Sequence, residues 1–203
     1  DKLYINFWGD GVMTNRLFKD NSSWHHYLLA VDSTQSTAAD RIKLYIDGEL
    51  ITSFSSTSYF AQDSNLAFAK RAFTIGNTKV GDNAQETFDG QLAEFNYVEG
   101  SALTPSTFGQ TDTSTGRWVP KTLSGITYGT NGFRLKFQDS SSLGDDTSGN
   151  GNDFTAANLG TDDQTIDTPS NNFNVFSQTD SSDVSSLENG LKPTFGASAG
   201  NPT

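Results

Sequence analysis

Residues 24–48 constrain the fold of this chain most, because they carry the pattern of two strands joined by a tight turn. Residues 24–31 are an apolar and aromatic run that stops at Asp32, which is typical of a buried central strand. Residues 42–47 alternate between apolar and polar, so one face of this second strand should pack against a core. The Asp-Gly pair at 47–48 suits a two-residue hairpin turn. We expect inward-facing Ile42, Leu44 and Ile46, and outward-facing Lys43 and Asp47.

Two other segments show the same alternation. Residues 3–8 place Leu3, Ile5 and Phe7 on one face and Trp8 on the other, so the chain begins within a strand. Phe133, Leu135 and Phe137 alternate with basic residues and predict one further strand.

The composition favours strands joined by polar turns. Only 33% of the residues are hydrophobic, which is low for a globular chain, but 12% are aromatic and include 15 Phe. Large aromatic side chains can supply much of the buried area of a modest core. Because Gly is abundant and no long segment has a period of 3.6, the prediction is an all-β fold.

Charge and cysteine content argue against several functions. The net charge of −11 opposes binding to nucleic acid, whose phosphates favour Lys and Arg. No apolar stretch approaches the roughly 20 residues of a membrane span, so no membrane insertion is expected. Cysteine is absent, which rules out disulfides and thiolate metal sites and suits assembly in a bacterial cytoplasm.

Four motifs in a fixed order resemble a known family. After the pattern of residues 24–48 come FTIGN at 73–77, FDGQLAEF at 88–95 and ALTPSTFG at 102–109. This order resembles the concanavalin A-like, laminin-G-like lectin domains. The resemblance implies an antiparallel β-sandwich of the jelly-roll, lectin/glucanase type, here with a loop-rich C-terminal extension. It also implies that further strands precede residue 1.

The later motifs are similar to a different group of proteins. YGTNGF at 128–133, DTSGNGNDF at 146–154 and DTPSNNF at 167–173 resemble a run found in bacteriophage virion proteins of the tail and fibre type. The resemblance implies a structural protein assembled in the host cytoplasm and located in the virion. Its partners would be other virion proteins and copies of itself, with a trimer favoured, and host-surface glycan is a candidate ligand.

These patterns divide the chain into three parts. Residues 1–110 are predicted to form the later strands of the sandwich. Residues 111–175 are predicted to be a connector, a returning strand that closes the sandwich, and loops rich in Gly, Asn and Asp. Residues 176–203 are polar and are expected to form a linker.

The candidate catalytic groups are weak. His25 and His26 are the only histidines, so one is expected to pack inward and the other to face solvent. Asp89 and Glu94 flank a strand-like segment, but on a strand they would face opposite ways and lie about 16 Å apart. The acidic run of the related glucanases is missing, so no enzymatic activity is expected.

Two sets of residues are candidate binding groups. Trp8 and Trp118 are the indoles best placed to stack on a sugar ring. The loop at 145–153 is rich in oxygen donors that suit calcium, although Asn-Gly and Ser-Gly turns have the same composition without an ion. Its candidate ligands are Asp145, Asp146, Asn150, Asn152 and Asp153.

Two functions therefore remain open. The first is a non-catalytic virion structural protein of a tail, fibre or other external appendage, with glycan as a candidate receptor. The alternative is a carbohydrate-binding adhesive module of a secreted bacterial protein.

Overall fold

The chain forms two compact units, and each unit consists of two separate segments of the sequence. The computed structural model describes residues 2–7, 9–19, 23–66, 73–80, 83–170, 184–188 and 192–195. Residues 1–92 and 97–132 form the first unit, and residues 93–96 and 133–203 form the second.

Every regular element of the described residues is a strand or a single 3-10 turn. In chain order the strands are β1 Lys2–Phe7, β2 Asp10–Leu17, β3 Tyr27–Val31, β4 Ile42–Ile46, β5 Glu49–Leu50, β6 Phe54–Ser58, β7 Asn77–Val80, β8 Asn83–Thr87, β9 Phe95–Tyr97, β10 Gly109–Thr111, β11 Trp118–Pro120, β12 Phe133–Leu135, β13 Val184–Glu188 and β14 Lys192–Phe195. The 3-10 turns are Ala38–Asp40, Pro105–Thr107 and Thr161–Asp163. The predicted all-β fold with antiparallel sheets is confirmed.

The first unit contains two three-stranded sheets and two hairpins. One sheet has the order β1-β2-β6 and the other the order β3-β4-β5, while β7 pairs with β8 and β10 pairs with β11. Val12 of β2 and Ile42 of β4 belong to the same buried cluster, together with Phe60. The two larger sheets therefore share a core. Ile5 and Phe7 of β1 pack against this cluster, which confirms the inward face predicted at the start of the chain.

The hairpin formed by β4 and β5 follows the sequence prediction closely. Ile42, Leu44 and Ile46 are 2%, 1% and 0% exposed. Asp47 and Gly48 have φ of 52° and 84°, the positive values that the tight turn requires. Ile46 pairs with Glu49 directly across this turn.

The strand predicted over residues 24–31 is shorter and less central than expected. It begins at Tyr27 and lies at one side of the sheet order β3-β4-β5, where Tyr27 and Leu29 are 48% and 40% exposed. The physical reason lies in the turn, because the N–H of His26 donates to the Asp47 carboxylate at 2.9 Å and so does not continue the ladder. Trp24, His25 and His26 precede the strand instead of forming part of it.

The second unit is organised around β12. This strand pairs with β9, and the Phe133 ring stacks on Phe95 with centroids 5.9 Å apart. Phe133 and Leu135 are each 2% exposed, as their alternation predicted. The extension of the strand to Phe137 is wrong, because that residue has φ of 55° and the strand ends at Leu135. Within the segment predicted to be a polar linker, β13 and β14 form an antiparallel pair.

A buried arginine organises the loops around the first core. Arg41 is 9% exposed and donates to three backbone carbonyl oxygens, those of Gln35, Ser36 and Phe60, at 2.8, 3.0 and 2.7 Å. Each carbonyl accepts a hydrogen bond from one nitrogen of the guanidinium, and burial would otherwise leave these N–H donors without a partner. The guanidinium therefore ties the loop before β4 to the segment after β6.

Arg41→Lys should destabilise the first unit by about 2–3 kcal/mol, because a single ammonium cannot reach three carbonyls arranged around a planar fork. Urea unfolding followed by tryptophan fluorescence measures the loss. Lys43→Ala is the matched control two residues away, since its ion pair with Asp40 at 3.2 Å is exposed and worth less than about 1 kcal/mol. Equal losses for the two variants would show that the carbonyl contacts of Arg41 are not important.

Candidate functional site

A cleft of about 410 Å³ lies in the first unit where three segments meet. The end of β2 contributes Arg16, the β4–β5 turn contributes Asp47, Gly48 and Glu49, and the β10–β11 hairpin contributes Thr111, Gly116 and Trp118. Among its lining residues are a guanidinium, two carboxylates, a hydroxyl and an indole, a mixture able to hold a polar ligand against an apolar surface.

Asp47 is held rigidly at the floor of this cleft. Its carboxylate lies 2.8 Å from Nδ1 of His25 and accepts the N–H of His26 at 2.9 Å. Its own N–H donates to the carbonyl of His26, also at 2.9 Å. These contacts connect the turn to the residues that precede β3, so the carboxylate keeps one position when a ligand arrives.

Trp118 packs tightly against the same turn. Its indole lies 5.8 Å from the ring of His26 at an interplanar angle of 29°. A Cβ built on Gly48 would lie 2.5 Å from Cε3 of Trp118, and one built on Gly109 would lie 2.6 Å from its Nε1. The indole therefore fits only because both positions are glycine.

His26 forms the inner layer beneath Trp118. Burial lowers the pKa of His26, and the nearby Asp47 carboxylate opposes that effect only in part. The ring is therefore neutral at pH 7. The Nδ1 of His26 and the Nε1 of Trp118 are buried atoms without a hydrogen-bond partner among the described residues. The prediction that one histidine faces solvent is wrong, since both rings are largely covered and both approach Asp47.

Arg16 and Glu49 both line the cleft and do not form an ion pair with each other. Arg16 lies over the Phe18 ring at 5.3 Å, and within the described ranges neither Arg16 nor Glu49 has an ion-pair partner within 4 Å. Both side chains belong to exposed residues. Their hydrogen-bonding groups are consequently available to a ligand.

The β10–β11 hairpin presents its side of the cleft on a rigid turn. The Asp112 carboxylate accepts N–H groups from Ser114 and Thr115 at 2.7 and 3.1 Å, and the N–H of Gly116 donates to the Asp112 carbonyl. The hydrogen bonds from Ser114 and Thr115 lower the pKa of Asp112. This network fixes Thr111 and Gly116 relative to Trp118.

The predicted indoles have different outcomes. Trp118 lines the cleft, but it is half-buried and clamped on the hairpin turn instead of standing free in a connector. Trp8 lies outside the described residues. Sugar binding by either indole stays a prediction.

The carboxylates considered for hydrolysis belong to different units. Both carboxylate oxygens of Glu94 accept from Arg134, each at 2.9 Å, so this side chain has a structural ion pair within the second unit. Asp89 is exposed and belongs to the first unit.

The loop predicted to bind calcium is stabilised by hydrogen bonds. The buried Asp146 carboxylate accepts the N–H groups of Arg134, Ser148 and Asn152 at 2.8, 2.8 and 2.9 Å, and Asp153 accepts the N–H of Asp146 at 2.9 Å. These hydrogen bonds occupy lone pairs of the Asp146 carboxylate that a cation would otherwise use.

The remaining members of the calcium set give it no further support. Asp145 and Asn150 are exposed, and no group of three His, Cys, Asp or Glu side chains suited to a metal occurs in the described part of the chain. Calcium binding at this loop stays a prediction.

Sequence reasoning named none of the four polar residues that line the cleft as site residues, and it assigned Asp47 only to the hairpin turn. Arg16 and Glu49 stand on exposed strand positions, and Thr111 lies in the presumed connector. The available signal was the Asp-Gly turn, because a turn that fixes Asp47 also places Glu49, the residue after Gly48, at the same edge.

The fold and the cleft define a β-sandwich domain of the lectin type, with antiparallel sheets around a shared core and a polar cleft at the hairpin turns. A family model described as the concanavalin A-like lectin/glucanases superfamily, Laminin_G_3, matches residues 1–109. The chain therefore belongs to this superfamily. Neither the curated proteins nor the solved structures that were compared include a match to the chain. None of the described helices is long and apolar enough to cross a membrane.

Gly48→Ala should destabilise the first unit by about 3 kcal/mol, because it adds a clash with Trp118 to the strain of a positive φ. Gly116→Ala isolates the strain, since φ there is +70° and the space is open, and should cost about 1–2 kcal/mol. Urea unfolding in the wild-type and Trp118→Ala backgrounds measures both. If the indole causes the clash, Gly48→Ala costs no more than Gly116→Ala once Trp118 is removed. An unchanged cost in that background contradicts the packing argument.

Asp146→Asn should destabilise the second unit by about 1–3 kcal/mol. The NH₂ group of the asparagine would replace a carboxylate oxygen and would face an N–H donor from which that oxygen now accepts a hydrogen bond. Burial opposes ionisation of Asp146, but the N–H donors outweigh it and lower its pKa. The stabilisation is therefore complete above about pH 4, the unfolded-state pKa, and is lost as pH falls through the lower folded-state value.

Hydrogen exchange at the amides of Arg134, Ser148 and Asn152 measures the Asp146 effect locally. The protection factors, which correct the exchange rates for their intrinsic pH dependence, should fall in the wild type on acidification and should already be low in Asp146→Asn at pH 7. Asp139→Asn is the control, because its carboxylate makes the same kind of turn with Ser141 on the surface. Unaltered protection of the three amides in Asp146→Asn refutes the assigned role.

Proposed function

We propose that this chain is a non-catalytic, glycan-binding structural protein of a bacteriophage virion, part of a tail, fibre or other external appendage. The observation that carries the proposal is the cleft beside Asp47, where an indole edge and unpaired polar side chains line the same space in a lectin-superfamily domain. Glycans have apolar ring faces, which can pack against the indole, and many hydroxyl groups, which can bind to the polar side chains.

The rigidity of the cleft supports binding. Asp47 is fixed by His25 and His26, and Trp118 is fixed by the glycines at 48 and 109. A site that does not rearrange avoids part of the ordering cost of association. Such a site suits an attachment protein, which holds a receptor without converting it.

The virion assignment is supported by the resemblance of the motifs at 128–133, 146–154 and 167–173 to those of virion proteins. Under this proposal the chain is assembled in the cytoplasm of the bacterial host and resides in the virion, with other virion proteins and copies of itself as partners, most favourably as a trimer. Exposed apolar side chains on β2 and β3 are consistent with subunit contacts, namely Leu17, Tyr27 and Leu29.

The absence of catalysis is part of the proposal. Glu94 is taken up by Arg134, and Asp47 is held by two histidine contacts at the turn. Both carboxylates have polar partners within hydrogen-bond distance instead of the apolar surroundings that suit general acid chemistry. The cleft is better suited to holding a saccharide than to cleaving one.

Three measurements on the purified chain test this proposal: glycan-array binding, mass by light scattering, and release of reducing sugar from the best-bound glycan. The expected result is a stable oligomer that binds glycan at the cleft and releases no sugar. A monomer that binds one polysaccharide favours the adhesive module of a secreted bacterial protein. Hydrolysis of the bound glycan overturns the non-catalytic assignment.

A further inference from the structure

We infer that the cleft of the first unit prefers uncharged to anionic saccharides, and that Glu49, with Asp47, disfavours the anionic ones while Arg16 binds hydroxyl groups. The inference rests on the proposed glycan binding and names its ligand class. It follows from which charged groups line the cleft and from what each of them already contacts.

The cleft contains charges of both signs that are not used up by the protein. Among the described residues, neither Arg16, which lies over the Phe18 ring, nor Glu49 has an ion-pair partner within 4 Å. Asp47 has one contact to each carboxylate oxygen, which leaves acceptor capacity on both. The formal charge of the lining is therefore −1, from one cation and two anions.

Hydroxyl groups can bind to charged residues of both signs. A hydroxyl donates to a carboxylate and accepts from a guanidinium, so neighbouring hydroxyls on a sugar ring can contact Arg16 and Glu49 without a net charge entering the cleft. Hydrogen bonds to charged groups are the stronger kind, worth about 1.5–3 kcal/mol each. A neutral ring therefore obtains strong contacts from every charged group of the lining.

An anionic sugar gains from one of these groups and loses to two others. A carboxylated or sulfated sugar could pair with Arg16 but would lie near Asp47 and Glu49, and the chain as a whole has a net charge of −11. The arrangement disfavours such sugars by like-charge contact, which is a way of achieving specificity through repulsion.

The test is a glycan array with the full chain at two salt concentrations, with neutral, carboxylated and sulfated glycans on one surface. Neutral glycans should give the strongest signals, and those signals should change little with salt, because screening acts on net charge. Binding dominated by anionic glycans overturns this inference and leaves the proposed glycan binding intact. No binding to any class overturns both.

Variants assign the selectivity to the two residues. Arg16→Ala and Glu49→Gln should each weaken binding to the best neutral glycan by about 10-fold or more, measured by titration calorimetry. Glu49→Gln should also raise the relative signal of carboxylated glycans, because it removes one of the two negative charges of the lining, and Arg16→Ala should lower that signal further, because it removes the one positive charge. Lys121→Ala and Asp89→Asn are the matched controls, since both residues are exposed and neither lines the cleft.

The selectivity changes separate this inference from a general loss of binding. Proper folding of each variant is checked by its urea midpoint, which should stay close to that of the wild type because both positions are exposed. If both variants weaken every class of glycan equally, the residues contact the ligand without selecting its charge, and the inference is wrong. If neither variant alters binding, the ligand occupies another surface, and the cleft assignment fails with it.

Discussion

The carboxylate of Asp47 is the contact on which most of the first unit's functional surface depends. It receives the N–H of His26 and the ring of His25, so the residues before β3 are fixed against the turn after β4. His26 in turn supports the indole of Trp118, and that indole covers Gly48. One side chain at a positive-φ position thus links three segments that are distant in sequence.

This arrangement explains how a chain with few aliphatic residues forms a defined site. The small core around Val12, Ile42 and Phe60 holds the sheets together. The cleft, however, is built from polar contacts and ring packing at the ends of the strands. Such contacts are directional, so they position side chains more accurately than apolar packing alone. The core therefore stabilises the packed sheets, and the contacts at the turn position the side chains of the cleft.

In the second unit a carboxylate also holds a loop in place through hydrogen bonds. Asp146 collects backbone N–H groups from both sides of its loop, just as Asp47 collects contacts at its turn. Polar loops rich in Asp and Gly are stabilised here by carboxylates that accept from the backbone. This role accounts for an acidic composition that could otherwise suggest a metal site.

The sequence by itself determined the all-β fold, the β4–β5 hairpin with its inward residues, and the lectin-like character of residues 1–109, because alternation, Asp-Gly turns and ordered motifs are local signals. Only the tertiary structure decided that Trp118 packs on Gly48 and that Arg16 and Glu49 line one cleft. It also decided that Asp146 accepts N–H groups, that β3 begins at Tyr27 and that β12 ends at Leu135. These features depend on contacts between residues far apart in the chain, and no local pattern records which loop a turn will meet.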